Sequence, residues 1–278
     1  MSDLVKISDP RRLAHNRARA RKMGPDLFLH RAAADEIKER LNEVNRRFTK
    51  PALIAEFPEI WQEALQDRLS AARILPPAEI LALEPGAHDL VIHAMALHWA
   101  DDPVGQLIQC RHALRPDGLL LAVLPGGQSL QELRSALAEA ETALYGGLSL
   151  RVLPMAEIRS LGNLLARAGL ALPVADTLSL AASYRDIRHL ARDLRAMGEG
   201  NALASRPRPA TRPLFDLAGQ IYAQNFPMDD GRIKATFDLI FLTGWAPDES
   251  QQQPLRPGSA QMRLADVLGQ NNQGTPDE

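Results

Sequence analysis

The chain has 278 residues, of which 45% are hydrophobic and 24% charged, and its formal net charge is -2. This composition excludes collagen, long coiled coils and wholesale disorder, and the charge provides no global positive field for nucleic acid. The single cysteine, Cys110, excludes an internal disulfide, a cysteine zinc cage and an iron–sulfur cluster held by this chain alone. No apolar run is long enough for a membrane-spanning helix, and we expect a cytoplasmic protein.

The N-terminal part, residues 1–50, is predicted to be a basic arm followed by a helix. Residues 11–22 carry six basic side chains and no acid. This run is typical either of a solvated helix face or mobile arm, or of an arm that docks on an acidic partner. Apolar residues then recur every three to five positions over residues 28–48, which predicts an amphipathic helix that Pro51 stops.

Strand and helix patterns alternate through the middle of the chain. Asp102 is a natural N-cap for the helix that starts at Pro103, Gly126-Gly127 permits a tight turn, and Ser129 is expected to cap the next helix. Arg115-Pro116-Asp117-Gly118 predicts a turn. The predicted elements are strand 52–57, helix 59–69, strand 89–93, helix 103–114, strand 119–124 and helix 130–144.

The remaining patterns complete an α/β domain over residues 51–268, with a helical insertion at about 184–232. Four arginines form one stripe on the helix 184–197, which is typical of a solvated face and, less often, of partner docking. The other predicted elements are helix 154–168 ending at Gly169, strand 174–182, loop 205–213, helix 214–226, strand 236–245 and a disordered tail at 269–278. Strands that alternate with helices predict a doubly wound sheet.

Two groups of motifs resemble known families. Asp89-Leu90-Val91-Ile92, Leu97-His98-Trp99 and Leu114-Arg115-Pro116-Asp117-Gly118 resemble strands 4 to 5 of class I S-adenosylmethionine-dependent methyltransferases. Arg17-Ala18-Arg19-Ala20 and the C-terminal run from Leu242-Thr243-Gly244-Trp245 to Ser259-Ala260 are similar to the methyltransferase-like assembly factors of respiratory complex I and their proteobacterial relatives. The resemblance covers roughly residues 8–268 and extends more weakly to malonyl-carrier methyltransferases.

The resemblance implies a Rossmann-like sheet that binds S-adenosylmethionine at the carboxyl ends of strands 1, 2 and 4. It also implies a protein partner, with a complex I subunit as the candidate, because the mitochondrial family member is credited with hydroxylating an arginine of such a subunit. On this basis the cofactor-binding candidates are Glu56, His93 and Ala94, and the catalytic candidates are His98 and Trp99.

The cofactor motif itself is absent from the expected place. A glycine-rich turn after strand 1 lets the backbone approach the ligand without a Cβ in the way. When the chain is aligned on Ala52-Leu53, the usual acid falls at Ile54 and the glycines fall at Glu56, Pro58 and Ile60. No glycine occurs between Gly24 and Gly86, so the motif is degenerate.

Spacing leads to the same conclusion. Phe57 and Asp89 have 31 residues between them, whereas two βα units need about twice that number. At least one strand is therefore expected to be missing near strands 1 to 3, and Leu75-Pro76-Pro77 offers no acid for the ribose.

The sequence gives weaker indications of a catalytic histidine, a carboxylate pair or a metal site. His98 and Trp99 follow strand 4, where this fold places residues that face the acceptor, so His98 is either a base or a structural histidine. Asp101-Asp102 is read as an N-cap with a neighbouring loop acid rather than a carboxylate pair. His93 and His98 have no third ligand at metal spacing, and no metal is expected.

Two hypotheses remain. In the first, the chain is a non-catalytic, assembly-factor-type relative that recognises a protein partner. In the second, it is an active methyltransferase that binds S-adenosylmethionine through an unconventional site. The glycine loss favours the first. A pocket beside Glu56 and His93 that is filled by Pro58 or Trp61 would exclude the cofactor sterically.

Overall fold

The computed structural model describes residues 6–205 and 208–252. The chain divides into a unit of residues Met1–Pro247, which holds the candidate site, and a unit of residues Asp248–Glu278. The predicted tail at 269–278 and most of the run from Ser250 to Ala260 lie outside the described residues. The boundaries at residues 50 and 268 therefore stay predictions.

Helices account for most of the regular structure in the described residues. Their bounds are α1 (Pro10–Met23), α2 (Phe28–Glu43), α3 (Pro58–Ala64), α4 (Gln66–Leu69), α5 (Pro103–Ala113), α6 (Gln131–Tyr145), α7 (Ile158–Arg167), α8 (Ile187–Ala196) and α9 (Arg212–Asn225), with a 3-10 turn at Leu97–Trp99. The basic N-terminal run is helical and forms α1. The strands are β1 (Pro51–Ala55), β2 (Arg73–Leu75), β3 (His88–Ala94), β4 (Leu114–Gly126), β5 (Ala171–Tyr184) and β6 (Ile233–Trp245).

Helix starts follow local sequence signals. Asp9 and Asp102 precede a proline at the first helical position of α1 and α5, where the missing N–H costs nothing. The Asp102 carboxylate accepts a hydrogen bond from the backbone N–H of Gly105 at 2.8 Å, so the predicted N-cap is confirmed.

One sheet connects all six strands in the order β2-β1-β3-β4-β6-β5. Neighbours from β2 to β4 run parallel, whereas β6 runs antiparallel to both β4 and β5. The chain passes from β1 outward to β2 and then returns to the other side of β1, so the strand order reverses between β1 and β3. Such a switch point identifies a doubly wound sheet, as predicted.

Both faces of the sheet are buried under helices. Leu119, Leu121 and Val123 pack with the core cluster that contains α2 and α9, while Leu120 and Ala122 pack with the cluster that contains α5 and α7. This two-sided burial explains why β4 is a continuous apolar run rather than an alternating one.

The region between β1 and β3 is shortened. It contains only β2, which has three residues and lies at the sheet edge, whereas the common doubly wound order places two further strands beside the first. The predicted truncation near strands 1 to 3 is therefore confirmed for the described residues.

Two local predictions were wrong because tertiary contacts override the local signal. Ser129 does not cap α6: its hydroxyl donates to the Asp238 carbonyl at 3.0 Å and accepts from the Asp238 N–H at 2.9 Å, and Leu130 precedes the helix. Arg115–Gly118 is a bulge inside β4 rather than a turn before it, since the register against β3 shifts there and Asp117 has a φ of 57°.

Candidate functional site

The carboxyl ends of β1, β3 and β4 meet at one edge of the sheet, beside the switch point. In open α/β sheets ligands bind in the crevice at this position. Glu56 directly follows β1, Met95 follows β3, and Pro125 is the last residue but one of β4. Two cavities open at this edge, one on the β1 side and one on the β4 side.

Helix α1 lies against the β1 side through an ion-pair cluster. Arg17 Nη1 lies 3.2 Å from Glu56 Oε2, and Arg21 Nη2 lies 3.2 Å from Glu56 Oε1. Arg17 and Glu56 are largely buried, so this pairing compensates the cost of removing both charges from water. Glu56, a predicted cofactor ligand, is thus held by the N-terminal basic run.

The start of α1 is fixed by a second carboxylate. Asp101 accepts hydrogen bonds from the backbone N–H groups of Ile7 at 2.9 Å and Ser8 at 3.0 Å. Asp101 directly precedes Asp102, the N-cap of α5. The segment before α1 is therefore bonded to the start of α5, while α1 itself is paired with Glu56 after β1.

A cavity of about 390 Å³ lies between α1 and the sheet edge. Arg17, Glu56, Asp101 and Gln106 contribute polar groups to its lining. Neither Pro58 nor Trp61 is among the lining residues, and Trp61 is instead fully buried in the core. The cavity is covered by α1 and is not filled by either of these two residues, so they do not exclude the cofactor sterically.

His93 and Ala94 lie beneath this cavity, inside the sheet. Both are fully buried in β3, and His93 Nε2 lies 2.9 Å from Gln106 Oε1. Burial lowers the pKa of His93 to about 4, an effect that the Gln106 hydrogen bond opposes in part. Gln106 lines the cavity, whereas His93 and Ala94 do not. Their assignment as cofactor ligands stays a prediction.

His98 and Trp99 converge on a glutamate that the sequence did not single out. His98 Nε2 lies 3.0 Å from Glu199 Oε2, and the Trp99 indole N–H donates to the same oxygen at 2.7 Å. Burial opposes ionisation of Glu199, but His98, Arg17 and the indole lower its pKa. The site therefore holds a carboxylate in its charged form. Glu199 is about 100 residues from its partners in sequence and no motif contains it, so only the fold could identify it.

A second histidine stands close to this cluster. Burial lowers the pKa of His30 to about 4; the negative charge of Glu199 opposes this effect, and His98 and Arg17 reinforce it. The His30 ring packs edge-on against Phe57. The Nδ1 atoms of His30 and His98 are buried and have no hydrogen-bond partner among the described residues.

The cavity on the β4 side, of about 220 Å³, is predominantly apolar. Its polar residues include His30, His98, Glu199 and Arg151. The apolar part of the wall comes from the residue after β3 and from β4, β6, α6, α8 and α9, and it includes Met95, Pro125, Leu133, Leu137, Leu194, Phe215 and Phe237.

Other reactive groups of the site region are engaged elsewhere. The Ser129 hydroxyl is used by Asp238, and burial raises the pKa of the Cys110 thiol to about 12, so the reactive thiolate is disfavoured. In residues 6–205 and 208–252, no three His, Cys, Asp or Glu side chains are grouped as a metal site. The same ranges hold no helix long and apolar enough to cross a bilayer.

Comparison with known proteins gives relatives in two groups. No protein-family model matches the chain. Arginine-hydroxylase NDUFAF5, mitochondrial, from Dictyostelium discoideum is 37% identical over 197 residues, which are 70% of this chain and 45% of that protein. Malonyl-[acyl-carrier protein] O-methyltransferase from Laribacter hongkongensis is 31% identical over 188 residues, which are 67% of this chain and 61% of that protein.

The chain spans between 45% and 66% of the length of the curated relatives it matches first. Among solved structures, a putative methyltransferase from Bacillus halodurans superposes with a TM-score of 0.47 at 12% identity, covering 76% of this chain and 97% of that one. The strand order of the sheet itself confirms the predicted doubly wound α/β fold.

Proposed function

Because the chain is related by sequence to the NDUFAF5 arginine hydroxylases and has a class I methyltransferase fold, we propose that it is a methyltransferase-like assembly factor. In this proposal its S-adenosylmethionine site is degenerate, and it acts on a protein partner, a subunit of respiratory complex I. The proposal rests on the relatives for the partner and on the residues after β1 for the cofactor site.

The observation that carries the proposal is the turn between β1 and α3. Glu56 and Phe57 form it, and Pro58 is the first residue of α3. Glu56 and Pro58 stand where the aligned motif has its first two glycines, so both carry a side chain where close backbone approach to the ligand needs none. The Glu56 carboxylate is paired with Arg17 and Arg21, and the buried Phe57 has no group that could hydrogen-bond a ribose hydroxyl.

The end of β2 supports the same proposal. In this fold an acid about 20 residues after the glycine turn holds the ribose hydroxyls. Here β2 ends at Leu75, and Pro76 and Pro77 follow. The residues present therefore do not fit the cofactor in its usual pose, and no reaction step is assigned through it.

Calorimetric titration with S-adenosylmethionine tests the degenerate site. We expect no heat of binding at millimolar ligand, while a class I methyltransferase with an intact glycine turn gives a binding isotherm under the same conditions. Binding at micromolar strength would contradict the proposal.

Loss of the chain from its source organism tests the partner. We expect less assembled complex I in the membranes, measured as NADH:ubiquinone oxidoreductase activity and as the intact complex on native gels. Re-expression of Glu199→Gln tests whether the buried carboxylate is needed, with the exposed Glu139→Gln as the matched control. Normal complex I without the chain would refute the assembly role.

The second candidate is an active methyltransferase with an unconventional site. It is favoured by the 390 Å³ cavity beside Glu56, since Pro58 and Trp61 do not fill it. The titration above separates the two candidates, because only the second predicts saturable binding.

A cytoplasmic location remains a proposal. The single cysteine, Cys110, is buried and unpaired by any disulfide, which suits a reducing compartment. The eukaryotic relatives carry the word mitochondrial in their names.

A further inference from the structure

The arginine stripe of α8 borders a groove of about 340 Å³, which we name the arginine groove. Its lining consists of Arg188, Arg192, Arg195, Arg212, Ala191, Ala210, Thr211 and Phe215. The four arginines are exposed and come from α8 and from the first residue of α9. The groove therefore has a positive lining, although the chain as a whole has a net charge of -2.

Most of this positive charge lacks a neighbouring carboxylate. Arg188 forms an ion pair with Asp216. Among the described residues, Arg192, Arg195 and Arg212 form no ion pair within 4.0 Å. Guanidinium groups are suited to carboxylate and phosphate oxygens, because their planar fork can donate two parallel hydrogen bonds.

The arginine groove adjoins the apolar cavity on the β4 side. Ala191, Arg195, Ala210 and Phe215 line both. A cavity of roughly 150 Å³ lined by apolar side chains stays dry and takes up benzene. The cavity in this chain is larger, at about 220 Å³, and is apolar over most of its wall, so it can accept several methylene groups of a chain.

We propose that the arginine groove and the apolar cavity form one binding site for a single-chain fatty carboxylate of medium length. The carboxylate pairs with Arg195 at the junction, with Arg192 and Arg212 adding positive charge, and the alkyl chain enters the cavity toward His98. An acidic peptide would satisfy the arginines but would leave the apolar cavity without an occupant. The inference is independent of the proposed function, because it uses neither Glu56 nor the turn after β1.

Calorimetric titration of the full chain with sodium octanoate tests the site. We expect saturable binding of one molecule. Butyrate lacks four methylene groups, and at about 0.8 kcal/mol for each we expect it to bind about two-hundredfold more weakly. Neutral 1-octanol lacks the charge-assisted hydrogen bonds to the guanidinium, and we expect it to bind about tenfold more weakly than octanoate.

Two variants locate the binding. We expect Arg195→Gln to weaken octanoate binding about tenfold. Arg185→Gln removes an exposed arginine that precedes α8 and lies outside the groove, and we expect it to leave binding unchanged. Ala210 is exposed at the junction, so Ala210→Trp adds bulk at the mouth without disturbing the core, and we expect it to abolish binding.

Several results would overturn the proposal. If no heat is observed at millimolar octanoate, the proposed site does not exist. If octanol and octanoate bind with equal affinity, the arginines do not bind the carboxylate. Binding that both Arg195→Gln and Ala210→Trp leave intact would lie elsewhere. Displacement of octanoate by a short polyglutamate peptide at equal strength would assign the groove to an acidic protein instead.

Discussion

The β1 side and the β4 side of the sheet differ in the length and pairing of their strands. On the β1 side the edge strand, β2, has three residues, and the turn after β1 carries side chains that α1 holds in ion pairs. On the β4 side, β5 and β6 have 14 and 13 residues, and they pair along nearly their whole length. The shortened region is therefore confined to the side where this fold keeps its cofactor turn.

This difference fits the proposed function, in which the β4 side serves recognition and the cofactor site on the β1 side is degenerate. The β4 side keeps an apolar cavity with His98, Glu199 and Arg151 in its wall, whereas the polar groups beside β1 are largely satisfied by α1. A protein that has lost cofactor chemistry but still recognises another molecule is expected to show this distribution. If the contacts of the two sides also differ in energy, variants on the β4 side should lose more free energy of unfolding than variants on the β1 side.

The largest expected effect lies on the β4 side, at the pair formed by Glu141 and Arg151. The atoms Glu141 Oε1 and Arg151 Nη2 are 2.7 Å apart, and both side chains are at least nine-tenths buried. Glu141→Ala leaves the guanidinium buried without its partner, so we expect a loss of about 3 kcal/mol in the free energy of unfolding, measured with urea. Glu139→Ala, on the exposed face of the same helix, should change it by less than about 0.5 kcal/mol. A similar loss in both variants would show that the buried pair does not stabilise this side.

The second prediction concerns His93, which lies in β3 between the two sides. Its pKa falls from 6.5 to about 4 in the folded chain because burial disfavours the charged form. Stability is therefore full above pH 6.5 and declines as the pH falls toward 4, by roughly 3 kcal/mol from this group. His93→Leu should remove this group's share of the decline, whereas the share of the buried His30, whose pKa is also lowered to about 4, should remain. His15→Gln, at an exposed position on α1, should leave the slope unchanged. An equally steep profile in His93→Leu would assign the acid sensitivity to other groups.

The sequence predicted the elements whose signals are local. Asp102 before Pro103 predicted the start of α5, and the apolar runs predicted β1, β3 and the buried part of β4. The count of residues between β1 and β3 predicted the missing strand. These signals suffice because capping chemistry, strand burial and chain reach are each determined by a few neighbouring residues.

Sequence signals of this local kind predicted only part of the candidate site. Glu56, His98 and Trp99 were proposed from their place after strands and stay predictions, whereas Glu199 and the pairing of Arg17 with Glu56 depend on contacts between distant segments. Ser129 shows the converse error, since a residue with the right type for a cap is used by β6 instead. Residue type shows which bonds a side chain can make, and only tertiary packing selects among them.

A smaller effect is expected at Asp102, in the connection that joins β3 to β4. Its side chain accepts one backbone N–H of the first turn of α5, and Asp102→Ala leaves that donor without its cap. We expect a loss of about 1 kcal/mol in the free energy of unfolding. Asp102→Asn keeps an acceptor oxygen and should recover most of it. If both variants lose equal stability, the carboxylate charge rather than the cap is what stabilises the connection.

The sharpest test of the comparison concerns ligand binding and is expected at Arg17. Arg17→Ala removes one of two guanidinium groups from Glu56. Because Arg21 remains paired with the carboxylate, the loss in unfolding free energy should stay below the loss of about 3 kcal/mol expected at Glu141, whose removal leaves a buried charge without a carboxylate partner. Arg19→Ala, at an exposed position of α1, serves as the control. If Arg17→Ala gains measurable affinity for S-adenosylmethionine, the β1 side is closed by α1 rather than degenerate. If it gains none, the missing glycines limit the site, because removing an arginine leaves the side chains of the turn after β1 unchanged.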